Sequence, residues 1–206
     1  MKNLNKRFYA LGNIAMLGKD DELLKLASEA GGTGWNVGFD SVCQQSLNQI
    51  HKKTNKVNEY IKAVKKIHDY GMEVNASIIF GFDTDKPDIF KKTLDFIYKA
   101  EIDWAAFQIL TPLPGTPLYN KMDVENRILT KDWTKYDFEH VVFQPNKMTP
   151  EELLIGFRET FDEFNTFKNQ VRIIIKNFDK GFIPLISKFQ HFFDIRYRKQ
   201  YGRYWN

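Results

Sequence analysis

The chain has 206 residues, 43 % hydrophobic and 15 % aromatic, enough to bury roughly 70 % of the surface its unfolded form exposes, so a disordered chain is excluded. Its unbroken apolar stretches, such as Ile78 to Phe82, are far short of the roughly 18 residues of a membrane-spanning helix. A net charge of +4 is too mild to imply nucleic acid by itself, and the single cysteine, Cys43, excludes an intramolecular disulfide, a cysteine-rich zinc site and a self-contained iron–sulfur site.

Along the chain, short apolar runs alternate with stretches of helical period, the signature of βαβ units. Arg7 to Met16 reads as a strand; its apolar window is broken by Asn13, and Gly18-Lys19-Asp20-Asp21 is a poor leader cleavage site, so a cytoplasmic protein is expected. Asp20-Asp21-Glu22 opens a helix that Gly31-Gly32 ends, and Trp35 to Phe39 follows as a strand. Val57, Tyr60, Ile61, Val64 and Ile67 recur at intervals of three and four, an amphipathic helix stopped by Gly71. Val74 to Phe80 is apolar at nearly every position, as in a parallel strand covered on both faces. Pro87 suits the first turn of the next helix, with Asp85 as cap and Phe90, Leu94, Ile97 and Tyr98 facing inward, before another buried strand over Trp104 to Leu110.

Three of the seven prolines then fall within Pro112 to Pro117, and the parallel strands stop there. Thr149-Pro150-Glu151-Glu152 forms a capping box for a helix carrying Leu153, Leu154, Phe157, Phe161 and Phe164, and Gly181 and Pro184 break the remainder into shorter helices. The expected division is an α/β unit over 1–118 and a mostly helical extension over 119–206. The tail interleaves Phe189, Phe192, Phe193, Tyr197, Tyr201, Tyr204 and Trp205 with Arg196, Arg198, Lys199 and Arg203. That pattern suits either packing on the fold or, over 190–206, peripheral contact with an anionic membrane surface; nucleic acid is the least expected partner.

His51, His68, His140 and His191 are scattered, with no metal-ligand spacing and none beside Cys43. Three segments instead fall where parallel α/β structures place their chemistry, at the C-terminal ends of strands. These are Gly38-Phe39-Asp40-Ser41, Gly81-Phe82-Asp83-Thr84-Asp85 and Thr111-Pro112-Leu113-Pro114-Gly115-Thr116. Each joins a small or kinked backbone to polar side chains, so a ligand can approach main-chain groups while carboxylates and hydroxyls bind it.

These segments occur in the order found in one family. Trp35 to Ser41 followed by Ser46-Leu47, Tyr70 to Val74, Ser77 to Asp85, and Gln108-Ile109-Leu110-Thr111-Pro112-Leu113-Pro114-Gly115-Thr116-Pro117-Leu118-Tyr119 resemble the second half of radical S-adenosylmethionine enzymes, particularly those with an N-terminal cobalamin-binding domain. The resemblance implies a partial (βα) barrel, here the last four strands of six, with a helical C-terminal extension. It implies that Asp40 and Ser41 contact the ribose of S-adenosylmethionine, where the family usually carries Glu in place of Asp40. It implies that Ser77, Ile79, Gly81 and Asp85 pack against the adenine, and that Leu110, Thr111 and Pro112 wall the pocket near adenine and substrate.

The same family carries a Cys-x3-Cys-x2-Cys loop for a 4Fe-4S cluster, which this sequence lacks. The resemblance therefore implies S-adenosylmethionine as cofactor, a cluster held by an N-terminal half in the same or a separate chain, cobalamin in some members, and a small-molecule or lipid-like substrate. Four strands cut from six also predict self-association through the open edge. Two rival readings are a non-catalytic barrel half acting as an interaction protein, and a carboxylate site of Asp40, Asp83 and Asp85 for a hard cation.

Overall fold

In the computed structural model, which describes residues 6–176, the punctuation of the sequence sets the first elements. Strand β1 spans Phe8–Gly12, shorter than the expected run to Met16. Asn13 ends it by accepting hydrogen bonds from the amides of Ala15 (2.9 Å) and Met16 (3.3 Å), which turns the chain into a one-turn helix, α1 (Ile14–Leu17). Asp20 accepts from the Leu23 amide at 2.8 Å to start α2 (Asp21–Glu29), and Gly31, at φ 95°, ends it where a Cβ would strike the Lys6 carbonyl. Gly32 belongs to the next element: β2 spans Gly32–Asp40.

A short helix α3 (Gln44–Gln49) and a 3-10 turn (Val57–Glu59) lead into α4 (Tyr60–Asp69), whose Tyr60, Ala63, Val64 and Ile67 are buried. After Gly71, at φ 76°, come β3 (Glu73–Phe80), α5 (Ile89–Lys99) and β4 (Trp104–Ile109). Pro87 and Asp85 both precede α5. Asp85 is turned back into its own loop, so it is not the helix cap, and the buried stripe of α5 runs through Ile89, Phe90, Thr93, Phe96 and Ile97 with Leu94 and Tyr98 only half-buried.

All strand pairs are parallel and the order is β1-β2-β3-β4, an α/β sheet wound in sequence order. One face is packed: Trp35, Val37 and Phe39 of β2 and Val74, Ala76, Ile78 and Phe80 of β3 are buried. On the other face Asn36, Gly38, Asn75, Ser77, Ile79 and Gln108 are half-buried and Ala106 is exposed. The apolar run of β3 is therefore fully covered on one face and only half-buried on the other.

Beyond β4, Thr116 caps α6 (Pro117–Val124), a bridge pairs Ile128 with Phe143 antiparallel, and the Phe138 carbonyl accepts from the amide of Ile109, the last residue of β4, at 2.7 Å. The capping box forms as expected: Thr149 N donates to Glu152 (2.7 Å) and Glu152 N to the Thr149 hydroxyl (3.1 Å), opening α7 (Pro150–Phe164). Two compact units divide between Arg158 and Glu159. In the second, Asn169 and Gln170 of α8 (Phe167–Lys176) are buried and donate to the Phe164 carbonyl. Gly181, Pro184 and the basic aromatic tail lie outside the described residues. Among those described, no helix is long and apolar enough to cross a membrane.

Gly156 of α7 lies against Phe90 of α5, and a Cβ there would overlap the Phe90 ring. Gly156→Ala is expected to destabilise the fold by about 1–3 kcal/mol through overpacking, although alanine is the better helix former. Denaturant unfolding of both chains measures it; an unchanged or raised midpoint would contradict this packing.

Candidate functional site

Parallel winding brings the C-terminal ends of β2, β3 and β4 to one rim, where the three sequence-predicted segments meet. Across the open face, strand register aligns Gly38 with Ser77 and Ser77 with Ala106, and next to them Ile79 with Gln108. This row of small side chains leaves a shelf three strands wide, about 10 Å at the usual strand spacing. Towards the other end of the strands, Asn75 donates to Asn36 at 2.7 Å. Below them, Tyr9 (3.0 Å) and Trp104 (3.2 Å) donate to Glu73 and close the floor. Burial, with Glu73 beside it, pushes the Tyr9 phenol well above its ordinary value, so it serves as a fixed donor.

The backbone of the first segment is held from outside the sheet. Buried Asn55 donates to the Gly38 carbonyl (3.3 Å) and Tyr60 to the Phe39 carbonyl (3.1 Å), with Tyr60 edge-on to the Phe39 ring at 4.8 Å. Asp40 follows in the left-handed region at φ 59°, its carboxylate paired with Lys52. The Ser41 hydroxyl is turned inward and accepts from the Cys43 amide at 3.0 Å.

In the second segment, Gly81 adopts φ 104°, and a Cβ on it would stand 3.0 Å from Leu153 and 3.1 Å from Phe143, so glycine is required twice over. Asp85 accepts from the amides of Gly81 and Phe82, both at 3.1 Å, and from Ser46 at 2.8 Å. Burial raises its carboxyl above the usual range against the pull of these hydrogen bonds. Asp83 collects Gln49 (2.9 Å), Lys121 (3.0 Å) and Arg127 (2.7 Å). Burial pushes its carboxyl up, but the hydrogen bonds and charges of Arg127 and Lys121 outweigh that and hold it below the usual range. In the third segment the Thr111 hydroxyl donates to the Ile109 carbonyl (3.0 Å), Pro112 is buried and Leu110 half-buried.

The structure thus gathers Asp40, Ser77, Ile79, Gly81, Leu110 and Thr111 at or beside one rim, and gives Ser41 and Asp85 supporting roles in their own turns. It separates the carboxylates proposed for a hard cation: Asp40, Asp83 and Asp85 each face different donors, and the described residues contain no cluster of three metal-capable side chains. Two of the histidines have ordinary employment, His68 with Asp103 and His140 with Asp137, both at 2.8 Å; His51 is exposed, and His191 lies outside the described residues. Lys52, Gln49, Lys121 and Arg127 were not singled out from sequence. Arg127 meets Asp83 across 44 positions, a separation that leaves no local signal.

No protein-family model matches the sequence. Over 157 residues the chain is 34 % identical to bacteriochlorophyllide d C-12(1)-methyltransferase of Chlorobaculum tepidum, an alignment covering 76 % of this chain and 34 % of that protein. It is 33 % identical to the hopanoid C-2 methylase of Rhodopseudomonas palustris over 58 % of this chain and 22 % of that one. The structure of the radical S-adenosylmethionine methyltransferase TsrM from Kitasatospora setae, with cobalamin and a [4Fe-4S] cluster bound, superposes with a TM-score of 0.51 at 20 % identity, over 58 % of this chain and 22 % of that one. The chain belongs to the radical S-adenosylmethionine superfamily. The archaeal Elp3 of Methanocaldococcus infernus has the same fold over 73 % of this chain and 32 % of that one, with a TM-score of 0.53 at 18 % identity. The four strands are therefore a partial radical S-adenosylmethionine barrel, and the chain spans about a third or less of the length of these relatives.

A 4Fe-4S cluster does not fit the residues present. Cys43 is the one thiol in the sequence, half-buried at the start of α3, and a cluster needs three or four ligands. Anaerobic reconstitution of the chain with iron and sulfide is expected to leave far fewer than about four irons per chain; a brown protein with a full cluster would refute it.

The Asp83–Arg127 pair carries a second expectation. Asp83→Asn is expected to cost about 2–4 kcal/mol at neutral pH, because it leaves the mostly buried guanidinium short of its partner. The folded-state carboxyl titrates below its unfolded value, so the stabilisation is full above about pH 4 and lost as pH falls further. Denaturant curves at several pH values should show the two chains converging in acid; a constant difference would refute the pair's role.

Proposed function

We propose that this chain is the part of a radical S-adenosylmethionine methyltransferase that binds the nucleoside of S-adenosylmethionine and shapes the substrate pocket. The observation that carries the reading is the small-residue shelf of Gly38, Ser77 and Ala106 beside Asp40 at one end and the Gly81 and Leu110 turns at the other. A flat base needs such a shelf, and a ribose needs an acceptor for its hydroxyls. With Lys52 holding one oxygen of Asp40, the other is left to accept from the ribose, and Ser77, Ile79 and Gly81 line the adenine. Thr111 and Pro112 keep the third turn rigid.

When bound, S-adenosylmethionine supplies the transferable group. The residues of this chain orient it and exclude water. The cluster belongs to protein outside this chain, an N-terminal half of the same gene product or a separate chain, and cobalamin, if used, is held there too. The relatives act on a bacteriochlorophyllide and on hopanoids, which favours a bulky, apolar acceptor here. A non-catalytic barrel half is the second reading, favoured by the lone cysteine.

Equilibrium dialysis with S-adenosylhomocysteine distinguishes the two. One saturable site per chain is expected, competed by adenosine and weakened about tenfold by Asp40→Ala, the effect of one charge-assisted hydrogen bond. No binding at millimolar ligand would leave the non-catalytic reading.

A further inference from the structure

Beside the nucleoside shelf is a cavity of about 500 Å³ whose apolar wall is made by Ile50, Phe82, Leu110, Pro117, Leu118 and Met122. Its size lies within the range of small-molecule sites, roughly 300–1,000 Å³. Its polar lining is mostly committed. Asp83 already accepts from Gln49, Lys121 and Arg127, and the Thr116 hydroxyl donates to the Leu113 carbonyl and accepts from the Tyr119 amide. Two basic groups remain usable. Lys121 Nζ is 3.0 Å from Asp83 and 3.9 Å from Glu125, which leaves an ammonium proton for a further acceptor. The His51 side chain also lines the cavity and is exposed.

Position adds to chemistry. Phe82 follows Gly81 and Leu110 precedes Thr111, so two wall residues continue the turns proposed to border the adenine. A methyl acceptor must lie against the nucleoside-bearing cofactor, and this cavity adjoins that place.

We propose that this cavity is the substrate pocket and that it takes a ring-bearing, apolar small molecule with one carboxylate, the rings against Phe82, Leu110, Leu118 and Met122 and the carboxylate on Lys121 and His51. The inference rests on the S-adenosylmethionine reading for its assignment to substrate, but the pocket's chemistry is testable separately.

The test is a fluorescence titration of the 206-residue chain with 8-anilinonaphthalene-1-sulfonate, an apolar ring system whose sulfonate stands in for the carboxylate, and with its uncharged parent N-phenyl-1-naphthylamine. One saturable sulfonate site is expected, about tenfold tighter than for the neutral dye, the worth of one charged contact. Lys121→Met should remove that preference. Leu118→Trp fills the cavity and should weaken both dyes at least about tenfold while S-adenosylhomocysteine binding stays unchanged. Ile50→Trp, on another part of the wall, does the same if the first variant does not fold, as judged by its thermal melt. Dye binding untouched by both tryptophans, or equal affinity for the two dyes, overturns the proposal. Competitive displacement of the dye by S-adenosylhomocysteine also overturns it, by making the cavity part of the nucleoside site, and leaves the function reading standing. Tryptophan-sensitive dye binding without any S-adenosylhomocysteine binding does the reverse: the pocket stands and the function reading falls.

Discussion

Parallel pairing in sequence order is the constraint from which the rest of the site follows. A parallel strand must be re-entered from the same end, so every βα connection leaves from one rim and every return lies at the other. Segments that begin at Gly38, Gly81 and Thr111, 43 and 30 positions apart in sequence, are thereby brought side by side, without any direct attraction between them. Register then decides what they present: Gly38, Ser77 and Ala106 fall in one row because β2, β3 and β4 pair at those positions. A slip of one residue would turn Val37, Ala76 and Phe107 outward and bury the polar set. The packing of Trp35, Val37, Phe39, Val74, Ala76, Ile78 and Phe80 on the helices is thus also what keeps the open face polar.

The rim is held from two sides. On one, Asn55 and Tyr60 fix the carbonyls before Asp40, and Ser46 reaches Asp85. On the other, Arg127 donates to Asp83, to Glu125 and to the Gln144 carbonyl, with its guanidinium 5.9 Å from the Phe143 ring centre. Phe143 and Leu153 in turn lie against Gly81. Burying an arginine costs several kcal/mol in desolvation, which only near-complete pairing offsets. Here each nitrogen of the group has an acceptor, so the segment after the last strand is tied to the Gly81–Asp85 loop at the rim.

What the sequence made legible follows period and punctuation. The four strands, the capping box at Thr149 and the strand-end position of the three segments were readable because each depends on residues near one another in the chain. Boundaries moved where one residue had two roles to choose from: Asn13 capped a helix instead of continuing a strand, and Asp85 bonded its own loop instead of starting α5. The open face of β3 was hidden because Ile79 is apolar and yet half-buried. The tethers Lys52–Asp40 and Arg127–Asp83 were invisible, since charged residues are common on any surface and only the folded chain selects the pairs.

These tethers also limit the chemistry available at the rim. A proton-transfer catalyst needs a titratable group that faces the reacting atoms and is free to change charge. Asp83 is fixed as an anion by Arg127 and Lys121, Asp85 is consumed by two amides and a hydroxyl, and Asp40 is paired with Lys52. Each carboxylate stabilises a turn, and the turns present backbone, small side chains and an apolar cavity. On the proposed reading such a surface acts by placement: it selects which atom of a bound molecule faces the reactive group and keeps water away from it. The bond-breaking chemistry, on the same reading, comes from groups outside this chain, in keeping with a sequence that has one thiol and a rim where Asp83 and Asp85 are fully engaged and Lys52 holds one oxygen of Asp40.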